Sequence, residues 1–217
     1  MLYIKKRQNV KMKIIAFLLA ISLFSSCKKE EKRLPFYDTP DFTPKWINEV
    51  PDNFHQIRPF KLINQQNQAF TEKDITGKIC IVDFFFTSCP GICPKMTKNM
   101  SVIQQEFLSD NNVLLISHSV TPNKDSVDVL EKYARLKGVV FNRWKLLTGD
   151  KNEIYDLGRK YYFVEEDEGI KKDNNIFLHT ENFILIDKQR HIRGIYNGID
   201  PNSIQDAIRD IKILEQE

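Results

Sequence analysis

Ile79 to Phe86 reads Ile-Cys-Ile-Val-Asp-Phe-Phe-Phe, an apolar, β-branched and aromatic run broken by one carboxylate, and it leads directly into Cys89-Pro90-Gly91-Ile92-Cys93-Pro94. A run without polar alternation has to be covered on both faces, which selects a central strand of a layered α/β domain. The two cysteines then fall just past that strand and at the start of the next helix, where open α/β sheets hold their ligands. Pro94 would clash with a carbonyl of the preceding turn inside a helix, so it belongs at the first helical position, with Cys93 as the capping residue. Both sulfurs are expected to face the helix N-terminus, whose partial positive charge favours thiolate over thiol.

The remaining pattern supplies the neighbours of that strand. Phe60 to Ile63 and Ala69-Phe70 read as a short hairpin, Val113 to Val120 as a second inner strand, and Trp144 to Leu147 as a third. Helices are expected from Pro94 to about Ser109, from Asp125 to Lys137 with Gly138 as its stop, after the cap Asp150, and after Asp200-Pro201. Glu165 to Asn175 is acidic and polar, hence an exposed loop, and Ile176 to Asp187 with His191 to Asn197 form a late hairpin. The β-α-β unit, late antiparallel hairpin and closing helix predict an α/β domain of thioredoxin-like fold, a central mixed sheet flanked by helices.

The N-terminal part does not belong to that domain. Five cations (Lys5, Lys6, Arg7, Lys11, Lys13) precede the apolar run Ile14 to Phe24, which ends at Ser25-Ser26-Cys27. Residues 1–26 are expected to be a signal peptide, because the run is shorter than the roughly 20 residues that span a bilayer. Small residues just before a cysteine resemble a bacterial lipoprotein processing site, with Cys27 as the lipid-bearing residue. Residues 27–53, with a charge run and four prolines, are expected to be a lipid-anchored tether, and 54–217 the folded domain. The reading is an exported, membrane-anchored lipoprotein whose domain lies outside the cytoplasmic membrane. Removing the signal's five cations turns the formal charge from +3 to −2, which excludes a nucleic-acid footprint.

With Cys27 lipidated, Cys80, Cys89 and Cys93 remain, too few for a disulfide scaffold. Cys80 reads as a core thiol and Met96 and Met100 as core packing. His118 reads as a packed residue, His55 and His191 as exposed. Asp83, six residues before Cys89, is a carboxylate that is costly to bury without a role. It is either a proton relay for the cysteine pair or a hydrogen-bonded structural group.

The chain resembles the Sco (SenC) family of copper proteins, which serve cytochrome c oxidase assembly. The resemblance rests on Asp-Phe-Phe-Phe-Thr-Ser-Cys-Pro-Gly-Ile-Cys-Pro at 83–94, Ser119-Val-Thr-Pro-Asn-Lys-Asp125, Trp144-Lys-Leu-Leu-Thr-Gly149, and Leu178-His-Thr180 leading into Phe183-Ile-Leu-Ile-Asp187. It implies that Cys89, Cys93 and His179 bind copper, His179 standing where thioredoxin-like oxidoreductases present a proline to their cysteine pair. Two thiolates and an imidazole suit Cu(I), while the imidazole also tolerates Cu(II). Structural zinc would want a fourth protein ligand. The chain departs from the family where an aspartate is usual before the histidine (Leu178 here) and where an acid is usual in the turn after the second inner strand (Thr121 here). The resemblance implies a copper chaperone whose partner is the copper-receiving site of a cytochrome c oxidase subunit or another copper chaperone. The alternative is a thiol-disulfide oxidoreductase that reduces the cysteine pair of such a target, with Cys89 and Cys93 as the redox pair.

Overall fold

The computed structural model of the protein describes residues 33–217; the expected signal peptide and Cys27 lie outside the described residues. Within that part, β1 (Lys61–Asn64), β2 (Ala69–Thr71), β3 (Ile79–Phe85), β4 (Val113–Ser119), β5 (Trp144–Thr148), β6 (Asn182–Ile186) and β7 (Ile192–Asn197) form one sheet in the order β2-β1-β5-β4-β3-β6-β7. The inner strands β3, β4 and β5 are parallel, and the flanking pairs run antiparallel. The helices are α1 (Glu72–Ile75), α2 (Cys93–Glu106), α3 (Val127–Lys137), α4 (Lys151–Asp156), α5 (Glu166–Lys171) and α6 (Pro201–Leu214), with a π-helical turn, Leu157–Tyr161, continuing α4. This is the thioredoxin-like plan that the element order predicts.

All seven residues of β3 are buried because each face of the sheet carries its own apolar layer. Ile79, Ile81 and Phe85 pack under α2, α3 and α6 together with Val113, Leu115, Trp144 and Leu146. Cys80, Val82 and Phe84 face the opposite layer, built on Ile75, Ile154, Leu157 and Tyr162. Each large aliphatic side chain buried this way contributes about 1.5–3 kcal/mol. The helix ends follow local chemistry: Ser126 and Asp150 accept from Val129 and Glu153 amides, and Gly138 closes α3 with φ of 70°.

Three expectations are corrected. Glu165 to Asn175, expected as an exposed loop, carries the short helix α5. Of the expected tether, Leu34 to Tyr37 lie against the domain. Leu34 and Phe36 are buried, and Tyr37 bridges to Ile192 on the outer strand β7. Arg193 holds this stretch: its guanidinium donates to the Leu34 and Pro35 carbonyls (2.8 and 3.1 Å), pairs with Asp187 and Glu217, and lies 3.9 Å from the centre of the Phe36 ring. Prolines exclude helix and inner strand, but they leave an extended chain free to lie along a sheet edge. The late hairpin is also shorter than expected, since strand pairing begins only at Asn182. The Ile176 carbonyl is taken by Arg159, and the Thr180 hydroxyl by the Val164 carbonyl.

His118 is packed, as expected, and its setting has a pH consequence. It is fully buried, stacked on Phe84 (ring centroids 4.8 Å apart), and neither ring nitrogen has a hydrogen-bond partner among the described residues. Burial pushes its pKa down to about 3. The unfolded chain takes up this proton below about 6.5, whereas the folded chain does not. The contribution of neutral His118 is therefore complete above pH 6.5 and is lost as pH falls toward 3. At pH 5 the loss amounts to about 2 kcal/mol. Between pH 7.5 and pH 5, thermal unfolding of His118→Leu should show a smaller drop in Tm than wild type; equal drops would show that His118 does not carry the acid sensitivity.

Candidate functional site

β3 delivers the chain to the C-terminal edge of the sheet, where the Cys89 amide donates to the Phe86 carbonyl (3.3 Å) and α2 begins. The capping position is Ile92, one residue earlier than expected, and no side chain caps the helix. Cys93 is the first helical residue, so it turns inward and is 5% exposed, while Cys89 stays partly exposed on the turn. Both are free thiols.

The pair is electrostatically unequal, which corrects the expectation of two activated sulfurs. Partial burial disfavours the Cys89 thiolate, but hydrogen bonds from the Cys93 thiol and from the Cys93, Gly91 and Ile92 amides outweigh it and hold Cys89 below the usual thiol range. Cys93 is pushed up to about 12, first by burial, then by the hydrogen bond it gives to Cys89 and by the Cys89 and Asp83 charges. Cys89 gives up its proton more readily than an ordinary thiol and is the better nucleophile and donor ligand, and Cys93 keeps its proton until something removes it. The hydrogen bond from the Cys93 thiol makes the two sulfurs neighbours, as the motif predicts.

Asp83 is the expected buried carboxylate. It lies on the α2 face of β3 beside Ser117, its register partner, and is 1% exposed. The Ser117 hydroxyl accepts from the Trp144 indole N–H at 2.8 Å, and Asp83 Oδ1 has no hydrogen-bond partner among the described residues. Burial raises its pKa to about 7, against a smaller lowering by Ser117. A carboxyl that titrates near neutrality beside a thiol that holds its proton is suited to general acid–base work.

A second carboxylate fixes the loop. Asp125, also 1% exposed, accepts from the Thr87 amide and hydroxyl (3.2 and 2.6 Å), the Ser119 hydroxyl (2.6 Å) and the Thr121 hydroxyl (3.0 Å). Hydrogen bonds to a charged acceptor contribute about 1.5–3 kcal/mol each. The sequence pattern starts a helix at Asp125; Ser126 is the capping residue instead, and Asp125 turns back to hold the loop. The signal was the set of hydroxyls at the ends of two inner strands, Thr87, Ser119 and Thr121. An acid at position 121 would face Asp125 at hydrogen-bond distance, so threonine there is what this carboxylate can use.

His179 is exposed and sits between two anchored neighbours: Leu178 is buried, its Cδ1 lying 2.7 Å from where a Cβ on Gly158 would be, and Thr180 is bonded to Val164. Its backbone N–H faces a Glu165 carboxylate oxygen at 3.5 Å. Among the described residues no group of three His, Cys, Asp or Glu side chains is close enough to hold a metal ion, so His179 does not complete a three-donor site with Cys89 and Cys93 in this arrangement. Cys80 is a core thiol on the other sheet face, its pKa driven upward by burial, and Met96 and Met100 are core residues. His55 and His191 are not exposed as expected: His55 Nε2 lies 2.8 Å from the Tyr161 carbonyl with its ring stacked on Phe163, and His191 lies against Asp187.

A family model described as SCO1/SenC matches residues 48–214. A SCO1/SenC family lipoprotein from Bacillus anthracis str. Ames is 31% identical, with a TM-score of 0.65, over 74% of this chain and 95% of that one. BsSco, a member of the Sco family of cytochrome c oxidase assembly proteins in which a disulfide switch was identified, is 30% identical with a TM-score of 0.63, over 77% and 97%. ScoI of Bradyrhizobium japonicum, solved with copper bound, shares the fold at 24% identity and a TM-score of 0.57, over 72% and 98%. With the fold, the cysteine turn and the matched span in agreement, this chain belongs to the SCO1/SenC family.

Proposed function

We propose that the protein binds copper through Cys89, Cys93 and His179 and delivers it to a copper site during cytochrome c oxidase maturation. The observation that carries this reading is the placement of two free thiols where β3 ends and α2 begins, with the Cys89 thiol held below its usual range. Two soft donors select Cu(I), and an imidazole brought in as third ligand extends the site to Cu(II). Copper in a solved Sco protein and the role of BsSco in oxidase assembly support it. His179 lies at the end of a long connection and would join the pair when copper is bound. The receiving partner is the copper site of an oxidase subunit or another copper chaperone.

The inequality of the cysteines favours a second activity on the same pair, thiol-disulfide exchange. Cys89 thiolate attacks a target disulfide and forms a mixed disulfide, releasing one target thiolate. Cys93 then gives its proton to the Asp83 carboxylate and its thiolate attacks Cys89, releasing the second target thiolate. The target gains two electrons and the Cys89–Cys93 pair is oxidised. The signal layout ending at Cys27 supports export and an acylated N-terminus, and the lipoprotein relative supports it further.

Copper stoichiometry and visible absorption of wild type and variants test the first reading. Cys89→Ser and Cys93→Ser should lose both Cu(I) and Cu(II); His179→Ala should retain most Cu(I) and lose the coloured Cu(II)–thiolate complex. Full copper retention by either serine variant would overturn the assignment. For Asp83, the folded pKa of about 7 lies above the ordinary carboxyl value, so its stabilising protonated form is complete below the ordinary value and lost as pH rises through 7. Asp83→Asn should therefore gain stability relative to wild type at pH 8 and not at pH 4, and should slow disulfide exchange while keeping Cu(I); unchanged exchange rates would make Asp83 structural only. Fractionation of cells expressing Cys27→Ser should find the protein released from membranes, and a variant processed at the same place and still bound would exclude acylation as the anchor.

A further inference from the structure

The connection from the π-helical turn to β6 contains only the short helix α5, yet it is tied at both ends by one buried ion pair. Arg159 is 1% exposed, held in the π-helical turn with its guanidinium 5.1 Å from the centre of the Tyr155 ring. It donates to Glu165 Oε2 (2.6 Å) at the start of the connection. Further along, it donates to the carbonyls of Asp173 (2.9 Å) and Ile176 (2.8 Å) and to Asn174 Oδ1 (3.4 Å). The other Glu165 oxygen faces Lys172 Nζ (3.1 Å) and the His179 amide (3.5 Å). The fork of the guanidinium is what allows one residue to reach several acceptors in fixed directions, which a lysine cannot do. The end of this network is the backbone of His179, and the pair is enclosed by the connection it organises.

We propose that Arg159 and Glu165 are positioning residues for His179: they hold the backbone from Asp173 to His179 in one arrangement, so that copper binding requires only the exposed His179 side chain to turn toward the cysteine pair and not the ordering of a free loop. This rests on the reading of His179 as the third copper ligand, and the test separates the two. Conserving the charge at 159 is not sufficient, because the bonds to the three acceptors near the loop's end require the fork.

The full-length protein would be compared as wild type, Glu165→Gln, Arg159→Lys, His179→Ala and the double variant Glu165→Gln/His179→Ala. In the metal-free state, amides of residues 176–180 should exchange with solvent about tenfold faster in the first two variants while the sheet amides stay protected. Cu(II) affinity should fall about tenfold or more, with a broadened electron paramagnetic resonance signal, and Cu(I) affinity should change far less. In the double variant the Cu(II) loss should equal that of His179→Ala alone, since the pair acts through the histidine. Additive losses, or an unchanged Cu(II) signal in Glu165→Gln where His179→Ala loses it, would overturn the positioning role. An unchanged Cu(II) signal in His179→Ala would overturn the ligand reading, and this inference with it. If Arg159→Lys does not fold, Lys172→Ala removes the half-exposed partner of Glu165 and should give the same signature at smaller size; no change in either amide exchange or Cu(II) binding in Lys172→Ala and Glu165→Gln together overturns the proposal.

Discussion

β3 is buried along its whole length, and the rest of the molecule is arranged to keep it so. An inner strand with apolar side chains on both faces needs parallel or antiparallel partners on each edge and a layer above and below. β4 and β6 supply the edges, α2, α3 and α6 one layer, and the π-helical turn with α4 the other. That enclosure decides where function can reside. Past its C-terminal end the strand runs into a partly exposed turn, and the two cysteines occupy that place.

The same burial makes the polar groups near the turn chemically unequal. Asp83 rides inside the strand and keeps its proton to about pH 7, because a carboxylate there has little but Ser117 to replace water. Asp125, equally buried, is surrounded by hydroxyls and an amide that donate to it, and it holds the loop before Cys89 to the end of β4. One carboxyl keeps its proton up to neutrality, and the other anchors a loop. The cysteines differ for a related reason: Cys89 collects donors from the turn, and Cys93 is turned toward the core by its place at the start of the helix.

Away from the turn, buried cations organise stretches that lack secondary structure. Arg193 collects the chain from Leu34 to Phe36 together with Asp187 and Glu217, and Arg159 collects the connection before β6. Breaking a buried pair of this kind costs about 3–5 kcal/mol, because the remaining charge is left uncompensated. Each arginine substitutes for a ladder of backbone hydrogen bonds that the irregular chain cannot make with itself.

The order of strands and helices, the two-faced burial of Ile79–Phe85 and the place of Cys89 and Cys93 beyond it could be read from the amino-acid sequence, because periodicity, proline and glycine act over a few residues. So could the buried states of Cys80, His118, Met96 and Met100, which sit within strongly patterned elements. What depends on residues distant in sequence could not. The docking of Leu34 to Phe36 needs Arg193 and Glu217, the restraint on the chain before His179 needs Arg159 and Glu165, and the sheltering of His55 needs Tyr161 and Phe163. The unequal acidity of the two cysteines likewise follows from which one faces the core and lies near Asp83. Local pattern names the groups that reach the end of the strand, and only tertiary packing sets how much water, and which partner charge, each of them keeps.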